Sequence, residues 1–163
     1  MTSTKAQQAH LLRLLEHAHW ANEEIFSALK AADMISEKLI SLYGHLLSAE
    51  KVWLERLNQR DSSNLSIWPI TRLEDCGVLI QENYEGYLLF LQPLEDKDLN
   101  TVIAYRNSKG AEFHTSIIDI LSQVFLHGSY HRGQISSYLR LEGYEPVNTD
   151  FIMFTRTTSP DTP

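Results

Sequence analysis

Between residue 4 and about residue 31 the apolar positions Leu11, Leu14, Leu15, Ala18, Ile25 and Leu29 return to one side of a 3.6-residue wheel. That period predicts a long amphipathic helix. It recurs from about 36 to 59 through Leu39, Leu42, Leu46, Ala49, Trp53 and Leu57, with Ser36 placed to cap a second helix. The stretch DSSNLSIWPI interrupts the pattern with turn formers and a proline. TRLE after it reads as a capping box opening a third helix to about residue 92, where Pro93 stops it. In TVIAYRNSKGAEFHT the period shortens to two on either side of NSKG, whose Asn and Gly suit the positive φ angles of a hairpin loop. Ile117, Ile120, Leu121, Val124, Ile135 and Leu139 then mark a fourth helix, ending at Gly143 with Pro146 beyond.

Four long helices with a small β-hairpin between the third and fourth predict an all-α four-helix bundle. The run from Asn58 to Thr71 is long enough to carry the chain back along such a bundle between parallel helices. We expect one domain over residues 1–154 and a frayed C-terminal tail over 155–163, where TTSPDTP offers no apolar period.

Charge and composition narrow the partners. A formal charge of −7 without clustered Lys and Arg argues against a nucleic-acid footprint. No apolar run approaches the roughly 20 residues of a membrane span, so no membrane partner is expected. MTSTKAQQAH lacks the charged-then-apolar pattern of a signal peptide, and a single cysteine, Cys76, cannot form an intramolecular disulfide. The expected compartment is therefore the cytoplasm.

The fourth helix carries HGSYHRGQ, residues 127 to 134. Four residues of α-helix turn through about 400°, so His127 and His131 lie about 40° apart, beside the apolar stripe. Two imidazoles on one face can share a divalent ion, but a pair needs a third ligand. Gly128 follows the first histidine where a zinc protease of the HExxH type has its general base, which excludes that reading. His45, in LYGHLLSAEKVWLERL beside the apolar stripe of the second helix, is the best candidate from another helix. His10, His17, His19 and His114 are expected to be solvated or locally bonded.

HLLSAEKVWLERL, the hairpin YRNSKGAEFHTS, and HGSYHRGQISSYLRLEGYEP followed by DFI resemble the DinB (YfiT-like) family of damage-inducible metalloenzymes, from helix 1 to about residue 154. The resemblance implies a bundle of up-down-down-up topology. It also implies a three-histidine site for one Ni2+ or Zn2+ ion, made here of His45, His127 and His131. Some relatives are thiol-dependent S-transferases, so the resemblance implies a low-molecular-weight thiol as a partner and a small electrophile as substrate. A metal-dependent hydrolase or a non-catalytic metal-binding stress-response protein stays open beside that reading.

Further polar residues invite roles near this site. Gln134 lies on the side of His127 and could orient a ligand through its amide. Asn22, in WANE near the middle of the first apolar stripe, is a candidate of the same kind, its alternative being a structural hydrogen bond. Arg132, on the opposite edge of its stripe, suits an ion pair or helix packing. Cys76 reads as a small buried apolar residue, and Tyr138 and Trp53 as core. Trp20 points away from the first stripe, which suggests a homodimer that covers it. No Ser or Cys stands beside a histidine as an activated nucleophile, and no Gly-rich phosphate loop is present.

Overall fold

In a computed structural model, residues 5–158 are described. Helices α1 (Ala6–Ala31), α2 (Glu37–Leu57), α3 (Leu73–Leu91) and α4 (Ile117–Leu141) form the bundle. A 3-10 turn (Asp98–Asn100) and the hairpin β1 (Val102–Arg106) and β2 (Glu112–Ser116) stand between α3 and α4. A short helix α5 (Phe151–Thr158) follows.

Hydrogen bonds between helices set their directions. Gln8 near the start of α1 donates to the Leu91 and Gln92 carbonyls at the end of α3, so those two helices are antiparallel. Asn83 donates to the Leu47 carbonyl and Tyr87 to that of Glu50, advancing together along α3 and α2, which are therefore parallel. Ser36 at the head of α2 bonds Glu142 at the foot of α4, so these run in opposite directions. The result is the expected up-down-down-up order, with the 58–72 segment as the long crossover.

The caps explain several boundaries. Ser36 accepts from Leu39 N at 3.2 Å and Ser116 from Asp119 N at 3.3 Å, satisfying orphan donors of α2 and α4. Gly143 adopts φ +87° just past α4, a conformation open to glycine. Two expectations fail locally. Arg72, not Thr71, is the N-cap of α3 and makes no side-chain cap bond, because the Thr71 methyl is packed into the notch left by Gly44 on α2. Asn107 keeps a negative φ and stabilises the hairpin loop instead by accepting from Lys109 N and Ala111 N through Oδ1, while Gly110 alone takes φ +82°.

Helix α5 continues to residue 158, past the expected end of the bundle at 154; residues 159–163 lie outside the described residues. Its Phe154 packs on Trp20 at 5.7 Å between ring centroids, so the aromatic that suggested a dimer is partly covered within the chain.

The core divides into two apolar clusters. One joins Leu54, Leu57, Tyr87, Leu91, Ile117 and Ile120 near the hairpin. The other joins Ile25, Leu39, Leu46, Ile80, Ile135 and Leu139 at the opposite end. Between them each long helix contributes polar side chains at one level: Asn22, His45 and Glu50, Asn83, and His131 with Arg132, all buried. Burial of a leucine or isoleucine contributes about 1.5–3 kcal/mol, so the two apolar ends can offset the cost of that polar belt.

Candidate metal centre

The belt holds two kinds of polar cluster. In the first, His45, His127 and His131 offer one ring nitrogen each, all within 4.8 Å of one another. Ring centroids lie 4.6 Å apart for His45 and His131 and 4.4 Å for His127 and His131. The i, i+4 spacing put two rings on α4 together, and antiparallel packing of α2 brought His45 opposite them.

Local bonds determine which nitrogens face the common point. His45 Nδ1 donates to the Ile67 carbonyl at 2.5 Å, and Trp68 stacks on the same ring at 3.8 Å and 10°. His131 Nδ1 meets Gln134 Oε1 at 2.8 Å, and the Gln134 amide nitrogen donates to Tyr130 Oη at 3.1 Å, which orients the amide. In both neutral rings the Nε2 lone pair is therefore left to point inward. His127 Nε2 lies 3.1 Å from His131 Nε2.

Burial holds all three imidazoles below their ordinary value. His127 falls to about 4, from burial first and then the two neighbouring histidines. For His45 burial outweighs the Ile67 bond, and for His131 it outweighs the Gln134 bond. At neutral pH the cluster is three uncharged donors with no carboxylate in the group. Converging neutral imidazoles of fixed orientation fit a divalent ion, the more so because the outer N–H of two rings is held by a second partner. A cavity of about 430 Å³ opens on His45 and His127, so such an ion would have room on one side for another ligand.

The second cluster is linked within itself, with Arg132 Nε and Asn83 Oδ1 left unpaired among the described residues. Arg132 Nη1 donates to Asn22 Oδ1 at 3.0 Å, Asn22 Nδ2 donates to Glu50 at 3.0 Å and 3.2 Å, and Asn83 Nδ2 reaches Glu50 at 3.4 Å. Burial raises the Glu50 carboxyl, with Asn22, Arg132 and Asn83 opposing. Gly128 makes room for this arrangement: a methyl there would stand 3.0 Å from Arg132 Nη1. The glycine that excluded a zinc-protease motif is thus the seat of the arginine.

Gln134, placed by the sequence on the side of His127, bonds His131 of the candidate site, whereas Asn22 bonds Arg132 and Glu50 rather than a histidine. Cys76 is buried as expected, and Arg132, expected at the edge of its stripe, is buried too. Trp53 and Tyr138 are only partly buried, and Trp53 lines the cavity. His10 and His114 are exposed, but His17 is buried under α5, bonded to the Thr149 carbonyl at 2.7 Å, and His19 stacks on Tyr84 at 4.1 Å. Sequence reasoning missed Ile67, Trp68 and Arg56. A Trp-Pro pair inside an otherwise polar crossover was the available signal for the first two.

Comparison with known proteins agrees with this geometry. Residues 2–162 match the DinB family. The chain is similar to "Protein DinB" of Bacillus subtilis (strain 168), at 28% identity over 162 residues, which cover 87% of this chain and 91% of that protein.

Proposed function

The chain belongs to the DinB family, and we propose that it is a metal-dependent enzyme, a thiol S-transferase acting on a small electrophile, with one Ni2+ or Zn2+ held by His45, His127 and His131. The observation that carries this reading is a cavity ending on neutral, pre-oriented imidazoles. A closed structural site would leave no such opening. When bound, a divalent ion supplies Lewis-acid stabilisation of a thiolate near neutral pH.

The chain's own residues do the rest. Ile67 and Gln134 hold His45 and His131 in the tautomers that direct Nε2 inward. Trp68 covers one face of His45 and keeps water from it. Among the described residues no serine or cysteine hydrogen-bonds these rings, so the cavity would supply positioning and a bound ion the activation.

Metal analysis of untagged protein should find about one divalent ion per chain. Loaded protein should then transfer a cellular thiol to a chloro-dinitro arene faster than stripped protein. Equal rates would rule out metal-activated transfer, and no turnover with any thiol would leave hydrolysis or metal binding without catalysis. We further propose a cytoplasmic homodimer; among the described residues no helix is long and apolar enough to cross a membrane. Val78 and Leu89, eleven residues apart on one exposed face of α3, are the surface we assign to the dimer. A monomer by light scattering at micromolar concentration would refute it.

A further inference from the structure

His45 and Arg56 also stand eleven residues apart, which returns them to within about 20° on α2, about 16 Å along its axis. The cavity follows that face, with Ala49, Val52 and Trp53 between the two residues. At its far end the Arg56 guanidinium lies 4.6 Å from the Trp53 ring and 5.1 Å from that of Tyr105 on β1. Aromatic faces fix a planar guanidinium while leaving its N–H edge free.

Among the described residues that edge has no protein acceptor. Arg56 Nε is buried without a hydrogen-bond partner. Burial depresses the basicity of Arg56. The nearby arginines are already committed, Arg60 to Glu55 and Arg106 to Glu112. Asp61, which borders the adjoining cavity, is itself bonded to Ser63 N and Oγ. An ordered, partly desolvated cation facing a cavity, with no protein counter-ion, is suited to an anionic group brought by a ligand.

We propose that Arg56 is the recognition residue for a carboxylate on the ligand. The pocket then takes an elongated molecule: a carboxylate at Arg56, an apolar middle against Val52 and Trp53, and the reacting group at His45 and His127. Only the identity of the reacting end rests on the proposed function.

The test is calorimetric titration of zinc-loaded protein with 6-phenylhexanoate and with its uncharged primary amide. The wild type should bind the carboxylate at least about tenfold more tightly. Arg56→Gln should bind the two equally, with zinc content unchanged, and Arg56→Lys should retain a reduced preference. The His127→Ala, His131→Ala double variant, titrated without zinc, should keep the full preference, which separates Arg56 from any carboxylate captured at the histidine end. A preference that survives Arg56→Gln, that vanishes with the histidines, or that the wild type lacks would overturn the assignment. Should Arg56→Gln fail to fold, undiminished preference in Arg56→Lys would overturn it equally. Loss of the metal reading would appear separately, as wild-type protein that takes up no zinc.

Discussion

His131 and Arg132 are consecutive residues of α4, yet they serve polar clusters of opposite character. His131 joins two other histidines whose lone pairs converge beside an open cavity, with no internal charge to complete them. Arg132 turns the other way, over Gly128, and meets Asn22 in a network that ends on Glu50 and Asn83. Both clusters are costly to bury. The second offsets much of that cost within itself, by hydrogen bonds and opposite charge, although Arg132 Nε and Asn83 Oδ1 stay unpaired among the described residues, and so reads as architecture. The first leaves a binding capacity unspent, which is what separates a site from a buried polar network.

The largest effect should come from removing the open cluster's donors. The His127→Ala, His131→Ala variant is expected to fall from about one bound ion per chain to none by metal analysis, while keeping its helical circular dichroism. Retained metal would dissolve the contrast between the clusters.

Breaking the second cluster should instead affect folding. Arg132→Met leaves Glu50 buried without its cation and is expected to cost about 3–5 kcal/mol in denaturant unfolding. Adding Glu50→Gln should recover part of that loss, since the uncompensated charge is then gone. A double variant no more stable than Arg132→Met would show that the two are not coupled.

Gln134→Ala sharpens the comparison from the other side. It removes the acceptor of His131 Nδ1, so metal affinity should drop about tenfold by competition with a chelator, with little change in melting temperature.

The smallest effect is a pH trend. Burial raises the Glu50 carboxyl above its ordinary 4.5. Above that pH the unfolded chain has released a proton that the folded protein still favours holding, so this group's contribution to stability is greatest below 4.5 and declines as pH rises. Relative to wild type, Glu50→Gln should therefore gain melting temperature as pH rises above 4.5. A difference independent of pH would mean that Glu50 is not perturbed.

The four long helices were legible because each buries a stripe whose period shows directly in the order of Leu, Ile and Val, and the hairpin because NSKG marks its turn between short alternating runs. Helix α5 was not: eight residues carry little periodicity, and its Phe151 and Phe154 acquire meaning only against His17 and Trp20 of α1. The His127 and His131 pair was visible in the i, i+4 spacing. His45 was a reasonable candidate for the third ligand, singled out by its place on a wheel and by resemblance to a family.

What the sequence determined alone was therefore what depends on local order: helical faces, the cap at Ser36, the turn at Gly110, and two histidines on one side of α4. What tertiary structure decided was every relation between faces. It placed His45 against α4, laid Ile67 and Trp68 of the crossover on its ring, sent Asn22 to Arg132 rather than to a histidine, and stacked Arg56 between Trp53 and Tyr105. Apart from Arg56 on Trp53 within α2, these contacts join residues from different elements, most of them far apart in the chain. Periodicity records which side of an element is buried, not which side chain of another element it will meet there.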